Sequence, residues 1–172
     1  MIQVTIFGGH DGRLRFDKWF YLTLFGGCDL IRPTMARQLL MQRQAQKEGH
    51  QIQHRKPFFL TIFGGVDIKS PTLAEEFIDL REMVNSGLMT LDEWDRSLVL
   101  LEQADGGIAS FTLFAGMSEN ELPSEDEEID SLAVQCHLGN ISDSASQALR
   151  YGIGQHGAER TATVRRALVA PA

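Results

Sequence analysis

One short apolar phrase occurs four times in this chain of 172 residues: Val4-Thr5-Ile6-Phe7-Gly8-Gly9, Leu22-Thr23-Leu24-Phe25-Gly26-Gly27, Leu60-Thr61-Ile62-Phe63-Gly64-Gly65 and Phe111-Thr112-Leu113-Phe114-Ala115-Gly116. Repetition at this fidelity marks one structural unit built several times and constrains the fold before any other feature. In each copy Thr and Phe alternate with β-branched or leucine residues, the period-two pattern of a strand. Both sides of such a strand carry bulky apolar groups, so both faces are expected to be covered. The glycines that follow (Gly8, Gly9, Gly26, Gly27, Gly64, Gly65 and Gly116) permit a sharp change of direction that a Cβ would obstruct. Asp11, Asp29 and Asp67 come just after three of these turns and read as hydrogen-bonding the corner backbone. The fourth copy has Ala115 for its first glycine and Ser118 at the aspartate position, as expected of a terminal repeat.

The distance between successive phrases grows from 18 to 38 to 51 residues, and the added length is helical in pattern. Arg32-Pro33-Thr34 opens a run that Gly49 stops. Thr72 and Glu75 make a capping box ahead of Leu73, Phe77, Leu80 and Val84, which share one helical face. Gly87 breaks that helix, and Thr90 with Glu93 caps another carrying Leu91, Trp94, Leu98 and Leu101. Ser124 with Glu127 forms a further capping box. From there Glu127, Glu128, Ile129, Leu132, Cys136 and Gly139 align without a gap on Glu75, Glu76, Phe77, Leu80, Val84 and Gly87. Ser142 takes the capping position of Thr90. Helical patterning fades after Gly152, and residues 160–172 read as a strand or a loose tail.

The expected fold class is therefore an α+β repeat: a small β-solenoid or parallel β layer of four Phe-Gly-Gly rungs with helical hairpins inserted between the rungs. It spans 1–172 as a single repeat-built domain, with rungs near 2–16, 20–31, 58–69 and 109–118 and helical insertions near 33–49, 71–104 and 123–151. A rival reading stays open. A Gly-Gly loop between apolar runs also signals a tight hairpin, in which Phe25 would pair antiparallel with Cys28. Parallel stacking is preferred because helical crossovers return the chain to parallel neighbours.

The phrases Phe25-Gly26-Gly27-Cys28-Asp29-Leu30-Ile31-Arg32-Pro33 and Phe63-Gly64-Gly65-Val66-Asp67-Ile68-Lys69-Ser70-Pro71 resemble the Phe-Gly-Gly-Val-Glu/Asp-Ile-x-x-Pro signature of the LiaF-like C-terminal domain. That family comprises the bacterial cell-wall-active antibiotic response proteins. The stretch from Leu80 to Leu98 is similar to short helical modules of the SHOCT type. The resemblance implies a β-solenoid, a bacterial envelope-stress or regulatory setting and protein–protein contacts, with no catalytic residues to carry over.

Composition narrows the function classes. Apolar content of 43% and charged content of 23% are those of an ordinary globular chain. A net charge of -7 argues against broad affinity for nucleic acid or anionic membrane. Cys28 and Cys136 are too few for a disulfide framework, and no apolar run approaches the ~18 residues of a membrane span. The opening residues lack a signal-peptide pattern and read as a strand, so a reduced, cytoplasmic setting is expected. The metal-ligand candidates His10, Cys28, His50, His54, Cys136, His137 and His156 have no conventional ligand spacing. The glycine turns lack the P-loop and dinucleotide patterns, and a following aspartate would repel an anion. There is no Gly-x-Ser-x-Gly elbow, and Asp126 and Glu127 stand in an exposed helix start. No catalytic residue, metal or cofactor is assigned, and a non-enzymatic chain is expected.

Charge is unevenly spread. Residues 32–56 hold Arg32, Arg37, Arg43, Lys47, Arg55 and Lys56 against Glu48 alone, whereas residues 118–130 hold Glu119, Glu121, Glu125, Asp126, Glu127, Glu128 and Asp130 with no base. Such segments are usually solvated helix faces, but opposite patches can also meet within the chain or head-to-tail between chains. Val4 and Ile6 are the candidate contact edge, Glu127 and Glu128 a candidate charged interface, and Trp94 a candidate anchor unless it is core. The expected function is that of a bacterial scaffold or regulatory protein acting through a protein partner or self-association, linked to envelope stress. The alternative is a small-ligand-binding or enzymatic domain.

Overall fold

The computed structural model describes residues 2–13, 20–48, 58–96, 109–112 and 117–171. The chain forms two compact units, one from Met1–Pro33, Gln42–Ser70 and Gly106–Glu121, the other from Thr34–Met41, Pro71–Asp105 and Leu122–Ala172.

The first unit holds the strands. The repeated phrases supply β1 (Ile2–Phe7), β3 (Phe20–Phe25), β5 (Phe58–Thr61) and β7 (Ala109–Thr112), and the segments beyond the glycines supply β2 (His10–Arg13), β4 (Cys28–Ile31), β6 (Val66–Lys69) and β8 (Met117–Glu121). They make two four-stranded sheets, β1-β3-β5-β7 and β2-β4-β6-β8, parallel throughout. Equivalent residues are register partners: Thr5 with Thr23, Thr23 with Thr61, Thr61 with Thr112. Strands flanking one glycine pair belong to different sheets, so the antiparallel Phe25–Cys28 hairpin does not form. Among the described residues Tyr21, Cys28, Leu30, Val66 and Ile68 form a buried cluster of this unit. The alternation is plain in β4, where Cys28 and Leu30 are buried and Asp29 and Ile31 exposed.

The expected fold class is corrected by this arrangement. The chain is not a β-solenoid or a single parallel layer of four rungs with helical hairpins inserted between them. It is an α+β fold in which the strands divide between two small sheets and the helices gather into a second unit with its own core. The physical reason lies in the crossover segments: their apolar faces are satisfied by other helices, which makes them a packed unit rather than decorations of a repeat. The expectation that both faces of the phrase strands are covered also fails, because Val4 and Ile6 are 57% and 53% exposed.

The second unit contains the first turns of α1 (Met35–Lys47), then α2 (Leu73–Asn85), α3 (residues 91–96), α4 (Glu125–His137), α5 (Asp143–Arg150) and α6 (Gly157–Val169). Thr72 with Glu75 and Ser124 with Glu127 close complete capping boxes, and Ser142 caps α5. Thr90 and Glu93 bond reciprocally ahead of α3. Gly87 and Gly139 end α2 and α4 at equivalent positions, with φ of 72° and 75°. Leu73, Phe77, Leu80, Trp94, Leu132, Leu149 and Val164 are among the residues of one core cluster, and Cys136 packs against it. Residues 160–172 are expected as a strand or a loose tail, but Gly157–Val169 is the helix α6. Its buried positions Arg160, Thr161, Thr163, Val164 and Ala167 follow a helical period, but three of them are polar, which hides the stripe. No helix among the described residues is long and apolar enough to cross a membrane.

Candidate functional site

The sheet unit exposes its repeated residues in ordered rows. β1 ends the first sheet and has one neighbouring strand among the described residues. The Gly8 N–H donates to the Phe25 carbonyl at 2.9 Å. Backbone groups alternate sides along a strand, so the Phe7 N–H faces away from β3. Phe7, Phe25 and Phe63 stack face to face, with ring centroids 5.4 Å and then 5.1 Å apart and planes within 9° and 4°. All three rings are exposed, Phe7 to 78%. Val4 and Ile6 lie in the same strand, and their side chains alternate with that of Thr5, which is half-buried. An exposed apolar row on an edge strand is a surface that natural proteins cover or use.

The glycine corners hold the rows together. A Cβ at Gly26 would run into the carbonyl of Gly8, and one at Gly64 into the carbonyl of Gly26, so close stacking of the corners demands glycine at both. A Cβ at Gly27 would lie 3.1 Å from the Gly65 carbonyl oxygen, a tight contact, and Gly8 has φ 92°. Gly9 lies exposed next to it, and Gly116 falls outside the described residues. The aspartates are not corner residues: Asp11, Asp29 and Asp67 sit inside β2, β4 and β6 as register partners, and Asp29 and Asp67 point to solvent. The inward threonine takes the expected role instead, with Thr61 Oγ1 donating to the Gly64 carbonyl at 2.5 Å. Thr23 Oγ1 and Cys28 Sγ, 3.6 Å apart, make a similar contact inside the unit.

The helical unit relocates the other candidates. Trp94 is 1% exposed and is core, so it is not a surface anchor. Glu127 is exposed but serves as the carboxylate of the α4 capping box. Glu128 is 1% exposed and does not belong to a charged interface. Its Oε1 accepts from Arg160 Nη2 at 2.5 Å and its Oε2 accepts the N–H of Leu73, the first residue of α2, at 2.9 Å. Arg160 also donates to the Pro71 carbonyl at 2.9 Å. The same device recurs one helix earlier. Glu76 of α2 accepts the N–H of Met35, the first residue of α1, at 3.0 Å. Thr34 Oγ1 donates to Asp79 at 2.7 Å, and Thr72 Oγ1 pairs with Ser131 Oγ at 2.9 Å. Each carboxylate thus caps the preceding long helix in place of water.

Sequence reasoning aligned Glu76 with Glu128 but did not assign this function, and it missed Arg160 altogether. The signal available was the shared spacing of Pro, Thr or Ser, and Glu ahead of α2 and α4. Burial pushes the Glu76 carboxyl up to about 8; the Met35 N–H and the charge of Arg160 oppose that rise, and Asp79 and Glu75 add to it. Arg37, one of the basic residues of 32–56, forks onto Asp79, with Nε at 2.6 Å, which raises its guanidinium pKa.

Among the described residues no three His, Cys, Asp or Glu side chains group closely enough to hold a metal ion. His137 and His156 are exposed, and His50 and His54 lie outside the described residues. An open cleft of about 400 Å³ in the helical unit is lined by Leu122, Pro123, Glu125, Ile129, Arg150 and Ile153. The chain matches no family model, no curated protein and no solved structure.

Proposed function

We propose that this chain is a non-enzymatic interaction protein, a scaffold or regulator that self-associates through the sheet unit. The observation that carries this reading is the exposed apolar row of β1, where Val4, Ile6 and Phe7 stand on a strand with a neighbour on one side only among the described residues. Such an edge offers both backbone hydrogen-bonding groups and apolar area to an added strand. The Phe-Gly-Gly phrases that resemble the LiaF-like domain extend the proposal to a regulatory role in the bacterial envelope-stress response. Two free cysteines, one of them buried, suit a reducing cytoplasm.

Sedimentation velocity over a wide concentration range tests the reading. The native chain is expected to exceed its monomer mass as concentration rises, and Val4→Lys with Ile6→Lys is expected to hold it at the monomer mass. A native chain that stays monomeric throughout, or a double variant that associates as well as the native chain, overturns it.

A further inference from the structure

We infer that self-association is head-to-tail: the β7/β8 end of one copy adds to the β1/β2 end of the next, extending both sheets at once. This rests on the interaction reading above and adds its geometry and polarity.

The two ends of the sheet unit are unlike. Both sheets run in sequence order with parallel neighbours, so one end presents β1 and β2 and the opposite end β7 and β8. Register columns run between them. In the first sheet Val4, Leu22, Leu60 and Phe111 form one column, and Thr5, Thr23, Thr61 and Thr112 another. In the second sheet Arg13, Ile31, Lys69 and Glu121 are successive partners, as are Asp11, Asp29, Asp67 and Ser118, with one extra residue of β8 bulged between Ser118 and Glu121. A copy added head-to-tail continues these four columns with compatible residues. Thr112 comes beside Thr5, and Phe111 beside Val4. Glu121 comes beside Arg13, opposite charges at exposed positions. Ser118, the one uncharged member of its column, comes beside Asp11, so the join adds no further like-charge neighbour.

A two-fold pairing lacks this match. Through β8 it would set Glu119 and Glu121 of both copies side by side, and through β2 it would run the strands antiparallel, which continues none of the parallel columns. Like charges across adjacent strands disfavour pairing, and opposite charges favour it. A head-to-tail contact is heterologous, and such contacts build rings or open filaments rather than closed dimers.

Disulfide mapping tests the polarity, in the full chain with Cys136→Ser to remove the half-buried thiol. Register partners on adjacent strands lie within reach of a disulfide, whereas positions 13 and 121 of one chain are separated by three strand spacings, about 14 Å, and cannot be bridged. On oxidation Arg13→Cys with Glu121→Cys in one chain is expected to give a ladder of dimers, trimers and larger species that reduction collapses. Either single variant alone is expected to form no covalent dimer, and the two mixed to give a disulfide-linked heterodimer. Homodimers from a single variant, or no ladder from a double variant that still associates in sedimentation, overturn head-to-tail joining and leave the interaction reading in place. A chain that never associates overturns both. Charge exchange gives a second readout that adds no thiol. Arg13→Glu or Glu121→Arg is expected to weaken association roughly three- to tenfold, and combining them in one chain to restore it. Failure of the combined variant to recover also counts against the inference.

Discussion

The two units dispose of their apolar residues in opposite ways. In the helical unit fifteen buried residues among those described form one cluster, and Glu128 pairs with Arg160 while capping a helix end. In the sheet unit the buried cluster among the described residues has five members, while Val4, Ile6, Phe7, Phe25 and Phe63 remain exposed. A strand phrase with apolar residues on both sides can bury only one side between two small sheets, and the other is left for something else. The helical unit is therefore read as the source of stability and the sheet unit as the source of contacts.

The largest expected effect breaks the helical side of that contrast. Glu128→Ala leaves the Arg160 guanidinium buried without its carboxylate and the Leu73 N–H without its acceptor. Loss of one partner of a buried pair costs about 3–5 kcal/mol, and urea denaturation followed by circular dichroism measures it. A cost below about 1 kcal/mol would show that the ion pair is not part of a sealed core.

A smaller, pH-dependent effect belongs to Glu76. Its folded pKa of about 8 lies above the ordinary 4.5, so the folded state holds the proton more tightly than the unfolded chain. The associated stability is complete below about pH 4.5 and is lost as pH rises through about 8. Glu76→Gln keeps an oxygen to accept the Met35 N–H and removes the titration. Its melting temperature is expected to vary less between pH 5 and 8 than that of the native chain, with the gap widest at pH 8. Parallel pH profiles for the two proteins would count against burial as the cause.

The smallest expected effect sharpens the contrast from the sheet side. Val4→Lys with Ile6→Lys replaces exposed residues and is expected to change stability by no more than about 0.5 kcal/mol, while removing association.

Several of these features are legible in the residues themselves. Thr–Phe alternation before paired glycines marks β1, β3, β5 and β7, and the Thr72–Glu75 and Ser124–Glu127 spacings mark helix starts that the hydrogen bonds reproduce. The equivalence of Glu76 and Glu128 is visible as an ungapped alignment, but whether either is buried depends on helices distant in sequence. Local pattern misleads where polar residues occupy buried slots. Arg160, Thr161 and Thr163 break the apolar stripe of α6, and at the Gly64 corner a hydroxyl, that of Thr61, bonds the backbone. The fold class departs from the repeat pattern for a related reason: spacing shows that helices lie between the phrases, and does not show that they pack on one another as a unit.

Hydrogen–deuterium exchange of the native chain at low and high concentration tests the division of labour most directly. The amides of β1, the outward Phe7 N–H foremost, are expected to gain protection as concentration rises, with those of α2 and α4 unchanged. Added protection in α2 and α4 with β1 unaffected would contradict the account, because the helical unit would then be the surface that meets a second copy.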